Sequence, residues 1–91
     1  IKQILKQNNE VLGYMEKNPD YQVLNTSILS ADEIREKQNG TQFRELYENL
    51  TLEDNRYVKV DLMGESGHGL MTIIDLNKGE VVKVFGIILI K

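Results

Sequence analysis

Ile1, Ile4, Leu5, Asn8, Val11, Leu12 and Met15 recur at i, i+3, i+4 and i+7 spacing. That stripe predicts one amphipathic helix over residues 1–17. Asn18-Pro19-Asp20 ends it, because the residue before a proline is driven out of the helical region. Residues 21–29 read as a short strand with a break near Asn25. Ser30-Ala31-Asp32-Glu33 is a capping box, in which the Ser hydroxyl accepts from the N–H three residues on and Glu33 reaches back. Asn39-Gly40 stops the helix it opens. Thr41 is placed to cap a second helix, with Phe43, Leu46, Tyr47 and Leu50 on one stripe. Residues 30–51 are therefore expected to form two short helices, or one helix broken at Gly40.

Past Glu53-Asp54-Asn55 the period changes from 3.6 to 2. Val58, Val60 and Leu62 alternate with Tyr57, Lys59, Asp61 and Met63, the signature of a strand with two different faces. Gly64-Glu65-Ser66-Gly67-His68-Gly69 reads as a six-residue loop. Residues 70–76 form a second strand, Asn77-Lys78-Gly79 a hairpin turn and residues 80–90 a third strand. This last strand is apolar on both faces toward its end, so it needs a central place or a cover. The fold class is α+β: an N-terminal helix, a short strand, two short helices and a three-stranded antiparallel meander, with the helices packed on one face.

The chain of 91 residues forms a single domain, residues 1–91, with no repeat or linker dividing it. Its 41% apolar and 27% charged content suits a packed globule, not a disordered segment. A net charge of −3 argues against a nucleic-acid surface, which needs a basic stripe. With no cysteine and one histidine, disulfides, thiolate zinc sites and most nucleophilic mechanisms lose their usual residues. No cofactor or metal site is expected. The chain opens on Ile1 instead of Met, which reads as a processed or excised chain. Asn25, Asn39 and Asn49 each head an Asn-x-Ser/Thr sequon and are candidate glycosylation acceptors, which leans the expectation toward an extracytoplasmic location.

The glycine loop is the most conspicuous candidate for chemistry. Gly64, Ser66, Gly67, His68 and Gly69 would offer backbone N–H groups to a small ligand or ion. Phosphate loops precede a helix, however, and here a strand follows and Glu65 adds the wrong charge. Ser66 and His68 depart from Gly-x-Ser-x-Gly, whose fifth residue is glycine, and lack the strand-to-helix turn of a nucleophile elbow. Glu45, Glu48, Glu53 and Asp54 read as a solvated charged surface, and an acid/base hydrolase is the least favoured class. The sheet face or edge carrying Tyr57, Lys59, Phe85 and Ile87 is the candidate interaction surface, tyrosine being favoured at interfaces.

Two resemblances add to this. Tyr57-Val58-Lys59-Val60-Asp61-Leu62, with Asp75, Gly79, Glu80 and Val81 around the following hairpin, resembles a PepSY-type domain over residues 31–85. Members of that family are non-enzymatic modules outside the cytoplasm, attached to secreted peptidases or membrane proteins, that bind or inhibit. The Gly-x-x-Gly-x-Gly pattern at residues 64–69 is similar to the cytochrome oxidase assembly factor family, whose members are membrane-tethered. The resemblances imply a non-catalytic interaction or regulatory module. Its partner would be another protein or its own neighbouring domain, with attachment to a membrane through a segment outside this chain.

Overall fold

A computed structural model describes residues 1–88. In order they form α1 (Lys2–Lys6), α2 (Asn9–Lys17), β1 (Gln22–Ile28), α3 (Ala31–Asn39), α4 (Arg44–Tyr47), β2 (Tyr57–Met63), β3 (His68–Asp75) and β4 (Glu80–Ile88). The strands make one antiparallel sheet in the order β1-β2-β3-β4. This is an α+β domain, as the change of period requires.

The stripe over residues 1–17 is two helices. Asn8 leaves the helical region (φ −89°, ψ 124°), and its side-chain oxygen accepts from the N–H groups of Glu10 and Val11 at 3.0 and 3.1 Å. An Asn on the apolar stripe is therefore an N-cap, and capping outweighs periodicity. At Ser30 the capping box forms: its hydroxyl accepts the Glu33 N–H at 3.1 Å. Thr41 is not the cap of α4. That single turn starts after Phe43, which is held at φ 56° with its ring edge-on to Phe85 at 5.8 Å.

The short strand β1 joins the three-stranded meander to make a four-stranded sheet, and helices cover both of its faces instead of one. Val58, Val60, Leu62, Leu70 and Ile74 pack against Leu5, Val11 and Met15 of α1 and α2. Tyr57, Met71 and Ile73 point the other way and pack against Ile34, Leu46, Tyr47 and Leu50 of the α3–α4 region. The chain changes sides by way of β1: two helices precede this edge strand on one face and two follow it on the other. Alternation along β2 shows that its faces differ, yet it carries no information on which of them meets a helix. Lys59 and Asp61, on the face that carries Tyr57, are a half-buried ion pair, with Nζ 2.6 and 2.7 Å from the two carboxylate oxygens.

The last strand is apolar on both faces for a local reason. Register shifts between Ile73 and Ile74, so Ile74 faces Val81 while Ile73 faces Lys83, leaving Val82 as an extra residue. Val81 and Val84 join the α1/α2 cluster, and Val82, Phe85 and Ile87 join the other. The predicted end of this strand at residues 89–90 lies outside the described residues.

Candidate functional site

The expected ligand loop is shorter than its glycines suggest. His68 and Gly69 already belong to β3, and residues 64–67 close the hairpin with Gly67 at φ 88°. Most of its backbone groups are paired at the hairpin corner, while the side chains of Ser66 and His68 are exposed and line an open cleft of about 930 Å³ with Tyr14 and Asn18. The Gly64 N–H donates to the His68 carbonyl, Gly67 N–H to the Gly64 carbonyl, and Glu65 N–H to Asp20 at 2.7 Å. Ser66 donates to Asn18 Oδ1 at 3.2 Å and accepts the His68 backbone N–H, so its hydroxyl is not engaged with the imidazole. Tyr14 clamps the same corner, its hydroxyl donating to the His68 carbonyl at 2.6 Å, and burial raises its pKa. Gly69 is closely packed: a Cβ there would lie 2.6 Å from Met63 Cε and 2.9 Å from Ile87 Cγ1, so both side chains would have to shift. These contacts dock the hairpin against α2 and occupy the N–H groups of Gly64, Glu65, Gly67 and His68, which a ligand would have to displace.

The predicted interaction surface is largely interior. Tyr57 is 3% exposed, and its hydroxyl accepts the Thr51 N–H at 3.0 Å. Phe85 and Ile87 are half-buried against the α3–α4 cluster, and Lys59 is tied to Asp61. The face carrying these four residues is covered because α3 and α4 lie on it. Tyr47, within that cover, has its pKa pushed up to about 12 by burial, then by the negative charges of Asp61 and Glu33.

The carboxylates considered for acid/base work are dispersed. Glu48 lies 3.7 Å from Arg44, Glu53 meets Arg56, and Asp54 accepts the Ala31 N–H at 2.7 Å. Asp75 is the buried carboxylate. It takes Arg56 Nη2 at 3.1 Å and the Asn77 and Lys78 N–H groups, locking the β3–β4 turn. Burial would raise its pKa, but the Arg56 hydrogen bond and these two N–H groups outweigh it and hold the carboxyl below its ordinary 3.8. Among the described residues, no group of three His, Cys, Asp or Glu converges as a metal site, and no helix is long and apolar enough to cross a membrane.

The exposed apolar surface collects instead at β1. Val23, Leu24 and Ile28 are 52, 60 and 57% exposed, and Ile1 nearby is 55% exposed. A groove of about 410 Å³ runs beside the strand, lined by Leu5, Met15 and Val60 and by Ile1, Lys2, Tyr21, Val23 and Thr26. Among the described residues, strand β1 pairs with β2 alone, so its second edge is free. Free edges are ordinarily blunted by charge or proline. Residues 22–28 contain neither, and one bulge at Leu24 interrupts the pairing. The other edge strand, β4, carries Glu80 and Lys83 and is half-buried for most of its length. Sequence reasoning overlooked β1, although its signal was present: a strand-length segment without charge in a chain that is 27% charged.

Comparison with known proteins finds no matching family model and no significantly similar curated protein or solved structure. The functional reading rests on this geometry.

Proposed function

We propose that this domain is a non-catalytic protein-interaction module that receives an extended segment of a partner protein at β1. One observation carries the reading: an uncharged edge strand, exposed along almost its whole length, borders an apolar groove built from α1, α2 and β2. Extended peptides add to such edges through main-chain hydrogen bonds, while pockets beside the edge select side chains. The resemblance of residues 31–85 to PepSY-type modules supports the same class. An extracytoplasmic location belongs to the proposal and is supported by the exposure of Asn25, Asn39 and Asn49. A glycan on Asn25 would cover the β1 edge, so its occupancy and peptide binding are alternatives; Asn39 and Asn49, on the α3–α4 side, are compatible with both.

Selection from a displayed library of random linear peptides tests the reading. The immobilised domain is used for capture, and a folded variant carrying Val23→Ser, Leu24→Ser and Ile28→Ser for counter-selection. Peptides that bind the domain and lose affinity for the variant are expected. Binders that hold both equally well, or no binders at all, would overturn it.

A further inference from the structure

Resting on that reading, we infer what the partner segment is: a short strand, apolar on one face and polar on the other, with Lys or Arg at both ends. The backbone phase of β1 fixes which groups are on offer. Leu29 N–H donates inward to the Tyr57 carbonyl at 2.9 Å, and Ser27 and Asn25 face Lys59 and Asp61 in the same phase. Hydrogen-bonded and non-hydrogen-bonded positions alternate in an antiparallel pair. The N–H and C=O groups of Thr26 and Ile28 therefore point to the free edge. The bulge at Leu24 limits regular pairing beyond this point, which sets the added strand at roughly four to six residues.

Side chains then set the partner's two faces. Val23, Thr26 and Ile28 lie opposite Leu62, Val60 and Val58, on the face that carries the groove. Gln22, Asn25 and Ser27 lie on the other face, opposite Met63, Asp61 and Lys59. Cross-strand neighbours share a face, so an added strand matches this arrangement with apolar side chains at every second position.

Charge sets the flanks. From residue 20 to residue 34 the chain has three acids, Asp20, Asp32 and Glu33, and no base. Asp20 precedes β1 and the other two follow it. Asp54 joins the far end through its bond to the Ala31 N–H. Arg35, 3.2 Å from Asp32, and Lys2, which lines the groove, offset part of this. The same acids disfavour a second copy as the occupant. Antiparallel self-pairing centred on Thr26 would set Asp20 of one chain opposite Asp32 of the other, acid against acid.

The test uses two fluorescein-labelled peptides with a Val-Thr-Val-Thr-Val centre, one with two Lys at each end and one with two Glu, titrated with the domain at low salt. The Lys-flanked peptide is expected to bind roughly tenfold tighter, an advantage that salt erodes. Thr26→Pro should weaken it by roughly tenfold or more, because proline removes an outward N–H. Thr26→Val should retain binding, and both variants should stay folded. If Thr26→Pro binds as the parent does, or the Glu-flanked peptide binds equally well, or neither binds up to about 1 mM, the inference fails. The parent reading still stands if the library has yielded peptides that reject the triple-Ser variant. Self-association abolished by Thr26→Pro would also overturn the inference, in favour of a second copy.

Discussion

Strands β1 and β3 flank β2, and both pair with it along nearly their full length. Their side chains live in different worlds. Seven of the eight residues of β3 are buried, whereas six of the seven in β1 are exposed. Equal main-chain pairing thus supports opposite roles. Strand β3 is held by packing from both faces, and its sequence is constrained at every position from Gly69 to Asp75. The hydrogen bonds of β1 to β2 hold it in place and leave its side chains free to serve something else. Ladder hydrogen bonds contribute only about 1 kcal/mol each, net, so packing is what separates the two strands energetically.

The largest expected effect comes from breaking the packed partner. Ile73 is fully buried in the α3–α4 cluster, which it shares with Met71 and Tyr57. Ile73→Ala should cost about 4 kcal/mol, combining lost transfer energy with a cavity that the rigid sheet cannot close. A 91-residue domain has only ~5–15 kcal/mol in total, so urea denaturation should show a large fall in midpoint. A loss under ~1.5 kcal/mol would mean that the two-faced core is not what stabilises β3.

The next effect sharpens the comparison at the end of β3. Asp75→Asn keeps the side-chain oxygen that accepts from Asn77 and Lys78 but removes the charge facing Arg56, and should cost roughly 2–3 kcal/mol at pH 7. The pH dependence has a definite sign. The folded pKa of Asp75 lies below its ordinary 3.8, so its stabilisation is complete above that value. It is lost as pH falls below 3.8 through the folded pKa. Parent and variant stabilities should therefore converge in acid and diverge toward neutrality; a pH-independent difference would assign the cost to packing instead.

Much of this architecture was legible in the residues, and the failures share a cause. The change to period 2 at Arg56 announced the meander, and Ser30 with Glu33 announced α3. Periodicity measures one element at a time. It showed that β2 has two faces but not that α3 and α4 would cover Tyr57 and half-bury the Lys59–Asp61 pair beside it. Asn8 fitted the apolar stripe by spacing although its chemistry is that of a cap. The glycines of residues 64–69 drew attention as N–H donors for a ligand, yet Gly69 lies in β3 with Met63 and Ile87 packed closely against it. The candidate site was missed because a free edge is recognised by residues that are absent, charges and prolines, and because only the topology shows that nothing pairs beyond β1.

The smallest expected effect is the one that separates the strands most cleanly. Ile28 and Ile73 are the same residue type on neighbouring halves of one sheet, but Ile28 is 57% exposed and its main-chain groups face outward. Ile28→Ser should change stability by no more than about 0.5 kcal/mol, against the ~4 kcal/mol expected at Ile73. The same substitution should nonetheless weaken peptide binding, since it removes apolar surface from the face that borders the groove. Denaturation midpoints and anisotropy titrations on one preparation give both quantities. A stability loss above ~1.5 kcal/mol would show that β1 is held by packing after all and that its exposed side chains are structural.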